Sequence, residues 1–475
     1  MPRKLLTMIS DAPKTTIGFV NLGCTKNQVD AEVMLGALAA KGFALTTEAD
    51  QAEVVIINTC GFIEEAKQES IDTIIEYGEL KKTGACKVLI ASGCLAQRYQ
   101  GDLLKELPEL DGVVGTGEIG RIADITETLL KPGRQKQRLW MAPPPYLYDE
   151  LTPRLRIGKQ HSAYVKIAEG CNRNCAFCAI PLMRGKQRSR PIPSIVEEVR
   201  HLAAEGVREV NLISQDTINY GVDLGMRRGL TTLLSELVQI EGLRWIRPFY
   251  LYPQQVDDAL IDVYAGQDKI TKYIDMPLQH INDAMLKSMH RLGGKRYITN
   301  LVNRLRQRIP GLTFRTAFIV GFPGETAAQF RELKQYLIDM EFDRVGIFLY
   351  SDEDDTPAVE FSGKLDRQLM EDRRAELLEL QESISLKRGR QKIGSTLEVL
   401  VEGPSEETDL LLAARHEGQA PEIDGVVYIN DVEGYPENTN LIQIRRDTVV
   451  PHPGDLVKVQ ITEAAAYDLV GHIVG

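Results

Sequence analysis

Features that would place this chain in a membrane, on a nucleic acid or outside the cell are scarce in its sequence. The 475 residues contain no apolar run near the ~18 residues that a membrane span needs. Between Lys4 and Ser10 there are only five uncharged residues, which is too few for the core of a signal peptide. Acidic residues outnumber basic ones by 67 to 56, which argues against adhesion of the whole surface to nucleic acid. We therefore expect a cytoplasmic protein with no membrane partner.

Cysteine is scarce as well, and its few positions carry much of the chemical information. The chain has seven cysteines, an odd number. With 43% hydrophobic residues, a chain of this length can bury its own cores without disulfides. In a reducing compartment such cysteines are more often metal ligands or catalytic groups. The seven are Cys24, Cys60, Cys86, Cys94, Cys171, Cys175 and Cys178.

The secondary-structure pattern predicts an α/β protein of three domains and one linker. Residues 14–130 contain short β-branched strands that alternate with helices, which is typical of a doubly wound parallel sheet. Residues 131–156 are rich in proline and basic residues and predict a linker over the surface. Residues 157–394 contain six further βα units and a charged linker helix, which favours a partial (β/α)6 barrel. Residues 395–475 predict a small antiparallel β-barrel with five strands, one of them at 440–445.

Three of the cysteines are packed into the loop after the first strand of the predicted (β/α)6 barrel. Cys171, Cys175 and Cys178 have the spacing Cys-x3-Cys-x2-Cys. Thiolates this close are unfavourable unless a cation or cluster neutralises them, and sulfur ligands select zinc or iron–sulfur clusters. A structural zinc site would need a fourth ligand nearby, and the one candidate, His161, comes before the strand. The spacing therefore favours an iron–sulfur cluster that leaves one iron open to a substrate group.

Three other motifs follow strands of the same predicted barrel. They are Ser214–Asp216 after the second strand, Pro277–His280 after the fourth and Val320–Thr326 after the fifth. Since ligands bind at the carboxyl ends of such strands, we expect these motifs to face one opening. On its own, the last motif would indicate only a turn before a helix that Thr326 caps. Together with the cysteine spacing, the motifs resemble the radical S-adenosylmethionine (SAM) family.

The radical SAM resemblance implies a cofactor and a set of contacts. In that family the amino and carboxylate groups of SAM bind the open iron, and reductive cleavage of SAM gives a 5′-deoxyadenosyl radical. The residues that we predict to contact SAM are Ser214, Gln215, Gln279 and Gly321.

The N-terminal cysteines show a second pattern. Cys24, Cys60 and Cys94 each follow a predicted strand directly, about one βα unit apart. Neighbouring parallel strands lie ~4.8 Å apart, so repeated strand ends place the three sulfur atoms on one sheet edge, within reach of a single cluster. Cys86 precedes its strand, and we assign it no ligand role.

Two three-cysteine sites on adjoining α/β domains, followed by a small β-barrel, resemble the radical SAM methylthiotransferase family along nearly the whole chain. The resemblance implies that Cys171, Cys175 and Cys178 bind the SAM-binding [4Fe-4S] cluster. It implies that Cys24, Cys60 and Cys94 bind an auxiliary [4Fe-4S] cluster, and that the C-terminal barrel is a substrate-binding TRAM-like domain. The reaction would insert a methylthio group at an unactivated carbon, with one SAM as methyl donor and another as radical source. We assign no catalytic residue beyond the clusters.

Charge placement separates the two substrate classes of this family, tRNA adenosine and an aspartate of small-subunit ribosomal protein S-twelve. Residues 395–475 contain fifteen acidic and four basic residues, whereas the rest of the chain contains 52 of each. Binding to tRNA would need cations at its phosphates, while an acidic barrel attracts a basic ribosomal protein. Motifs at Arg247–Pro253 and Ala420–Gly425 also resemble the branch that modifies this protein. We therefore expect methylthiolation of the aspartate β-carbon, in the free protein or in the small subunit.

Two alternatives stay open, and so does the possibility that the acidic barrel serves solubility alone. One alternative is a tRNA adenosine methylthiotransferase of the same chemistry. The other is an iron–sulfur scaffold or electron carrier that does not cleave SAM. Further expected partners are a sulfur donor and an electron donor such as flavodoxin or ferredoxin, but not tRNA. We expect the basic stretch Met183–Pro191 to line the active-site mouth, with Arg184, Arg188 and Arg190 as candidates of no assigned role.

Overall fold

The computed structural model describes residues 15–84, 86–131, 138–144, 146–408, 410–432 and 451–474. The chain divides into two compact units, Met1–Leu155 and Arg156–Gly475. Among the described helices, none combines the length and apolar character needed to cross a membrane. The second unit contains both the predicted (β/α)6 barrel and the predicted β-barrel.

The first unit is built on a parallel sheet of six strands, as the alternation of strands and helices predicts. The strands are β1 Thr16–Asn21, β2 Ala44–Thr46, β3 Val54–Thr59, β4 Val88–Gly93, β5 Gly112–Val114 and β6 Leu139–Trp140. The helices are α1 Thr25–Lys41, α2 Glu64–Thr83, α3 Cys94–Tyr99, α4 Gly101–Glu106 and α5 Ile122–Leu130, with 3-10 turns at Ala49–Gln51 and Thr116–Arg121. The spatial order is β2-β1-β3-β4-β5-β6. The central strands β3 and β4 are buried along their whole length, because a parallel sheet is covered on both faces.

Part of the predicted linker belongs to this sheet. Leu139–Trp140 pairs in parallel with β5, and the Trp140 side chain is buried. Farther along, Pro153 packs against Gly36 of α1, where a β-carbon would lie 2.3 Å from the Pro153 carbonyl oxygen. The prediction of a linker is therefore wrong for Leu139–Trp140, because a two-residue strand is too short to show a periodic pattern in the sequence. Residues 132–137 and 145 lie outside the described part of the chain.

The second unit contains the partial barrel. Its strands are β7 Ser162–Lys166, β8 Ala168–Glu169, β9 Arg188–Ser189, β10 Glu209–Ile213, β11 Trp245–Pro248, β12 Tyr273–Asp275, β13 Thr313–Val320 and β14 Arg344–Leu349. Its helices are α6 Ile180–Arg184, α7 Ile192–Ala204, α8 Gly229–Leu237, α9 Asp258–Gly266, α10 Asp283–Ser288, α11 Gly294–Arg308, α12 Ala327–Met340 and α13 Arg367–Arg390. Short 3-10 turns lie at Thr217–Asn219, Val222–Leu224 and Pro357–Glu360. Two parallel sheets, β7-β10-β11 and β12-β13-β14, are joined by a bridge between Ile246 and Ile270, which confirms the six-strand partial barrel.

The C-terminal strands close into a five-stranded barrel. They are β15 Thr396–Pro404, β16 Leu412–His416, β17 Val427–Val432, β18 Leu456–Ala464 and β19 Leu469–Ile473, in the order β15-β16-β17-β19-β18. One pair, β17 with β19, is parallel, so the barrel is not purely antiparallel. The sequence did not predict β16, because its alanines give no polar and apolar alternation. The predicted strand at 440–445 lies outside the described residues.

This β-barrel packs against the amino-terminal ends of the core strands. Glu209, the first residue of β10, is fully buried and lies 2.6 Å from Arg415 of β16. The same carboxylate lies 2.9 Å from Arg247 of β11, and Arg415 lies 2.6 Å from Glu402 of β15. Burial by itself would raise the pKa of Glu209, but the two guanidinium groups outweigh it and lower the pKa. A buried, shared carboxylate therefore connects the barrel to the core.

The motif at Ala420–Gly425 lies in the same contact. The Tyr164 hydroxyl donates to the carbonyl oxygen of Pro421 at 3.4 Å, and the Tyr273 hydroxyl donates to Asp424 at 2.8 Å. Tyr164 belongs to β7 and Tyr273 to β12, which are strands of the two different parallel sheets of the partial barrel. The motif thus contributes to attachment of the β-barrel to the core.

Candidate cluster sites

The structure brings the three N-terminal cysteines to one edge of the sheet. Cys24 lies between β1 and α1, Cys60 follows β3, and Cys94 begins α3 directly after β4. Strands β1, β3 and β4 are neighbours, so their carboxyl ends lie side by side. Cys24 is exposed, whereas Cys60 and Cys94 are buried. This is the placement that the cysteine spacing predicts, and the role of these residues as cluster ligands stays a prediction. Cys86 lies at the opposite end of β4 from Cys94.

Glycine keeps the chain close to Cys60. Gly23, with φ +88°, lies beside Cys60, and a β-carbon there would be 2.8 Å from the Cys60 β-carbon and 3.1 Å from its Sγ. Both the left-handed backbone and the lack of space exclude most side chains at this position. Cys24 and Cys60 are thereby held on closely packed segments.

Asn27, in the first turns of α1, ties the three strand ends together. Its Nδ2 donates to the carbonyl oxygens of Leu22 and Thr59, each at 3.0 Å. Its Oδ1 accepts from the Cys94 Sγ at 3.5 Å. Asn27 itself is fully buried. One carboxamide therefore sets the spacing of the segments that carry Cys24, Cys60 and Cys94, and sequence reasoning missed it because Asn27 belongs to no recognised motif.

If Cys24, Cys60 and Cys94 bind a cluster as predicted, we expect Asn27→Ala to lower its occupancy. The variant leaves two carbonyl oxygens without their donor, at a cost of about 1–3 kcal/mol, and frees the three strand ends to separate. Iron and sulfide per chain after anaerobic reconstitution should fall toward the one-cluster value. Asn27→Asp keeps the size and the acceptor but loses the donors, so it should give the same direction. Full iron content in both variants would contradict this role.

The second cysteine set occupies residues 171–178, called here the cysteine loop, at the carboxyl end of β7. The Cys171 amide donates to the Gly185 carbonyl at 3.0 Å, and the Ala176 amide donates to the Met289 carbonyl at 3.1 Å. The Arg173 amide donates to the Cys171 Sγ at 3.4 Å. Backbone hydrogen bonds thus fix the cysteine loop near both of its ends.

The thiol chemistry of the cysteine loop fits a cluster site. Burial raises the pKa of Cys171 to about 11 and also raises the pKa of Cys178. Buried thiols with raised pKa values are poor thiolates by themselves, but metal coordination deprotonates a thiol outright. In the described residues no group of three or more His, Cys, Asp or Glu side chains is arranged to hold a single metal ion. Zinc would need sulfur atoms gathered about one centre at ~2.3 Å, whereas a cubane cluster spreads its ligands over separate iron atoms.

Two arginines that the sequence analysis did not single out flank the cysteine loop. Arg173 binds Asp216 with an Nε to Oδ2 distance of 2.6 Å, and its guanidinium lies 4.0 Å from the Tyr252 ring centre. Arg291 lies over the same ring at 4.3 Å and donates to the Cys175 Sγ at 3.7 Å. These cations would offset the negative charge of a cluster bound by three thiolates. Arg173 lies in the loop after β8 and Arg291 in the loop after α10, so the sequence around each gives no sign that they meet at the Tyr252 ring.

Ser214 and Gln215 lie at the expected strand end but are already bonded to neighbours. The Ser214 hydroxyl lies 3.0 Å from that of Thr217. The Gln215 carboxamide donates to Glu169, a buried carboxylate that also lies 2.6 Å from Lys166. Burial would raise the pKa of Glu169, but Lys166 and Arg184 lower it to about 2. Gln215 is therefore bonded to a carboxylate that Lys166 holds in place. Lys166, Glu169, Arg184 and Gln215 are called here the base of the site.

Unpaired buried oxygen atoms remain around this base. In the described part of the chain, Gln215 Oε1, Gln187 Oε1 and Asp216 Oδ1 are buried and have no hydrogen-bond partner. Gln187 is connected to the cysteine loop, because its amide donates to the Asn172 side chain at 3.1 Å. Buried acceptors without donors are costly, so they fit a ligand that supplies N–H groups, such as the amino group of SAM.

Gln279 and Gly321 lie at the ends of neighbouring strands, where the backbone adopts positive φ. Gln279 has φ +72°, and its amide donates to the Ala317 carbonyl at 2.8 Å. Gly321 has φ +80°, and a β-carbon there would lie 2.2 Å from the Met370 sulfur. Only glycine fits this position. Contact of Gln279 and Gly321 with SAM stays a prediction.

The motif at Val320–Thr326 has a structural anchor that the sequence does not reveal. Glu325 is buried, accepts from the Gly321 amide at 2.7 Å and binds Arg373 of α13 at 2.6 Å. Thr326 caps α12 in a capping box with Gln329. The motif therefore begins a helix that Thr326 caps, as its local pattern predicts, and its part in a SAM site stays a prediction.

The three arginines of the basic stretch have different surroundings. Arg184 is buried and lies 3.3 Å from Glu169, so it belongs to the base of the site. Arg190 is buried against Glu198 of α7 and donates to the Lys166 carbonyl, which is a structural role. Arg188 is exposed. The expectation that the stretch Met183–Pro191 lines the mouth of the site is therefore wrong for Arg190.

Three family profiles match successive parts of the chain. Residues 16–115 match "Uncharacterized protein family UPF0004", residues 165–337 match the radical SAM superfamily, and residues 393–474 match the TRAM domain. These matches follow the order of the three predicted domains, whose boundaries stay predictions.

Curated relatives match the chain over nearly its whole length. A protein of Geobacter sulfurreducens is 46% identical over 97% of this chain and 99% of its own. Proteins of Myxococcus xanthus and Solibacter usitatus are 45% and 47% identical, over 98% and 96% of this chain and 93% and 94% of theirs. All three are called ribosomal protein uS12 methylthiotransferase RimO.

A solved structure shares the fold at low sequence identity. The radical SAM methyltransferase TsrM from Kitasatospora setae, with cobalamin and a [4Fe-4S] cluster bound, has a TM-score of 0.53. It is 15% identical and covers 81% of this chain and 79% of its own. This likeness agrees with the α/β architecture described above.

Proposed function

Since this chain belongs to the RimO family of ribosomal protein uS12 methylthiotransferases, we propose that it attaches a methylthio group to the β-carbon of an aspartate in uS12. The observation that carries the proposal is near full-length identity of 45–47% to relatives of that name. The chain is a radical SAM enzyme, which implies SAM and one [4Fe-4S] cluster. The second cluster, at Cys24, Cys60 and Cys94, is part of the proposal.

The residues present have defined tasks at these two sites. Cys171, Cys175 and Cys178 would bind the SAM cluster, and Cys24, Cys60 and Cys94 would bind the auxiliary one. When bound, the clusters and SAM supply a radical that removes hydrogen from the substrate carbon and a methylthio group that replaces it. Arg291 donates to the Cys175 sulfur, and Glu169 accepts from Gln215 at the base of the site.

Aromatic packing keeps water away from one side of the cysteine loop. The Phe177 ring packs edge-on against Phe322 at 6.5 Å, and Phe322 packs against Tyr350 at 5.3 Å. Ala176 and Met289 are fully buried in the same apolar group. A dry environment protects reactive radical chemistry from side reactions. This packing supports a catalytic use of the site rather than iron storage.

The surface of the β-barrel supports a basic protein as substrate. Several of its carboxylates are exposed in the described residues, whereas Lys458 is the single exposed Lys or Arg there. Arg415 is buried in the contact with the core. Exposed acids repel RNA phosphates and attract a basic surface. The exposed acidic residues are Glu398, Glu406, Glu407, Glu422, Asp431, Asp455 and Glu463.

Mass spectrometry of uS12 tests the substrate. We expect the aspartyl peptide to lose its methylthio mass in a strain without this gene and to regain it when the wild-type gene is returned. A gene with Cys171→Ala should not restore the mass. Nucleosides from tRNA of the same strains should be unchanged. Loss of a methylthio adenosine from tRNA, with uS12 unaffected, would instead establish the tRNA enzyme.

A further inference from the structure

A pocket lies within the second unit, at the contact between the β-barrel and the core. The core contributes Thr313 and Arg344, the first residues of β13 and β14, and the last turns of α13. The β-barrel contributes His416, the last residue of β16, and the turn between β18 and β19. This pocket, called here the junction pocket, lies at amino-terminal strand ends, whereas the cysteine loop lies at a carboxyl end. The function proposed above makes no use of it.

His416 brings an unpaired hydrogen-bond donor to the junction pocket. It is only 6% exposed, and its Nδ1 accepts from the Gly418 amide at 3.0 Å. A neutral imidazole carries one hydrogen, so a ring whose Nδ1 accepts must carry that hydrogen on Nε2. Nε2 is buried and has no hydrogen-bond partner among the described residues. A buried N–H group without an acceptor is costly, so this position fits a ligand that supplies an oxygen atom.

The surrounding charge keeps the His416 ring in this neutral form. Burial lowers the pKa of His416 well below its ordinary value, and the positive charges of Lys392 and Arg344 lower it further. The ring is therefore uncharged near pH 7, with its single hydrogen on Nε2. The same cations create a positive potential at the ring, which attracts an anion.

Lys392, two residues beyond the end of α13, lines the junction pocket with a free ammonium group. In the part of the chain that the structure describes, its Nζ forms neither a hydrogen bond nor an ion pair. Burial lowers the pKa of Lys392; Asp343 opposes this shift, while Arg388 and Arg344 add to it. A partly buried ammonium without a directly bonded counter-ion is unfavourable, so Lys392 also fits an anionic ligand.

The carboxylates that line the junction pocket are bonded to other groups. Asp343 lies 2.6 Å from the Arg388 guanidinium and accepts from the Phe314 amide at 2.8 Å. Asp468 accepts from the Val426 amide at 2.8 Å. Both carboxylates are thus held away from the imidazole and the ammonium, and neither replaces an external anion there.

Arg344 supplies a further donor from the core side of the junction pocket. Its side chain is 15% exposed, and its Nε lies 4.0 Å from Asp424. Its Nη2 donates to the Tyr467 carbonyl oxygen at 3.2 Å. A guanidinium has five N–H groups, so this arginine can bind the Tyr467 carbonyl and a ligand together.

We infer that the junction pocket binds a phosphate group, which accepts from His416 Nε2, the Lys392 ammonium and the Arg344 guanidinium. These donors belong to β16, to the segment after α13 and to β14, so the ligand connects the β-barrel to the core. A phosphate group has three acceptor oxygen atoms that point in different directions, whereas the two oxygen atoms of a carboxylate lie in one plane. The phosphate belongs either to a small free anion or to an RNA backbone. The inference is independent of the methylthio transfer proposed above.

The test uses the reconstituted full-length protein, with inorganic phosphate as the probe in isothermal titration calorimetry at constant ionic strength. Lys392→Gln removes the ammonium and breaks no side-chain bond of the described structure, so the variant should fold normally. Lys387→Gln is the matched control, because Lys387 belongs to α13, is exposed and lies outside the junction pocket. Acetate and a short RNA without terminal phosphates are each titrated as competitors.

We expect wild type and Lys387→Gln to bind phosphate equally at one saturable site. Lys392→Gln should bind it about 10–100 times more weakly, the usual effect of losing one hydrogen bond from a charged group. Phosphate should also raise the Tm of the wild type more than that of Lys392→Gln. Absence of saturable binding, or equal affinity in all three proteins, would overturn the inference. So would acetate that competes as strongly as phosphate itself.

The competing RNA identifies the source of the phosphate group. RNA that displaces inorganic phosphate from the wild type, but has no Lys392-dependent affinity in the variant, would show that the site takes a backbone phosphate. RNA that leaves inorganic phosphate bound would show that the site takes a small free anion. Both outcomes support a phosphate site, and they differ only in what carries the phosphate.

Nitrogen-15 NMR of protein labelled at histidine gives a second readout, which a general loss of stability would not change. The His416 ring should carry its hydrogen on Nε2, and phosphate should shift the Nε2 signal in the wild type but not in Lys392→Gln. His416→Gln identifies the signal by its loss. A hydrogen on Nδ1, or an Nε2 signal that phosphate leaves in place, would contradict the site. Since neither assay contains SAM or uS12, failure here is distinguishable from failure of the proposed function.

Discussion

Replacing Cys24, Cys60 and Cys94 together by alanine should abolish methylthio transfer while leaving SAM cleavage in place. These residues end three adjacent strands of the first unit, and Cys171, Cys175 and Cys178 belong to a separate fold in the second unit. Loss of the first set therefore removes one cluster without disturbing the other. Iron and sulfide should fall to half, and 5′-deoxyadenosine should still form when SAM and dithionite are added.

The reciprocal variant makes this first prediction sharper. Replacing Cys171, Cys175 and Cys178 by alanine should also halve iron and sulfide, but it should eliminate 5′-deoxyadenosine. Cys86→Ala is the matched control, because Cys86 is a buried cysteine of the first unit that lies at the opposite end of β4 from Cys94, with its Sγ 3.6 Å from the Val88 carbonyl oxygen. It should retain both clusters. A single cluster in the wild-type protein would refute the two-site arrangement.

Glu209→Gln should separate the β-barrel from the core and give the largest loss of stability of any single substitution considered. The carboxylate lies between Arg247 and Arg415 at 2.9 and 2.6 Å, and all three side chains are buried. A neutral amide leaves two buried guanidinium groups without adequate charge compensation, at a cost of about 3–5 kcal/mol. Urea unfolding and limited proteolysis between core and barrel should both report the change.

A second barrel-to-core ion pair provides the control for Glu209. Arg244 and Glu398 are 2.6 Å apart, but both are about two-fifths exposed. Solvent screens such a pair, so Glu398→Gln should cost no more than about 1 kcal/mol. Equal effects of the two substitutions would mean that burial of the Glu209 network does not hold the domains together.

Acid should reduce the difference between wild type and Glu209→Gln. The arginines lower the pKa of Glu209 in the folded protein, so its stabilising contribution is fully present above the unfolded pKa of about 4.3. The contribution is lost as the pH falls from there toward the lowered folded pKa. The free energies of unfolding of the two proteins should therefore converge below about pH 4, whereas a constant difference would point to packing instead.

The sequence predicted the structure best where chemically distinctive residues follow a clear strand or helix pattern. Strands such as Val54–Thr59 and Val88–Gly93 could be predicted because their apolar runs are followed by turns and helices. The cysteines after these strands could be assigned to one sheet edge, since the parallel strands of successive βα repeats end on the same side of the sheet. Leu139–Trp140 and Leu412–His416 escaped prediction because short strands depend on partners elsewhere in the chain for their hydrogen bonds.

The sequence by itself determined the six candidate ligands, the order of the three domains and the acidity of the last one. Those properties depend only on residue type and on spacing within single segments of the chain. Only the tertiary structure showed the Asn27 contact with Cys94, the place of Arg291 beside Cys175, and the Glu209 network, whose residues Glu209 and Arg415 are 206 positions apart. A contact between distant segments leaves no periodic trace in either of them, because it is created by the folded backbone. For that reason the sequence identified the candidate ligands, while the fold decided how they are held and what surrounds them.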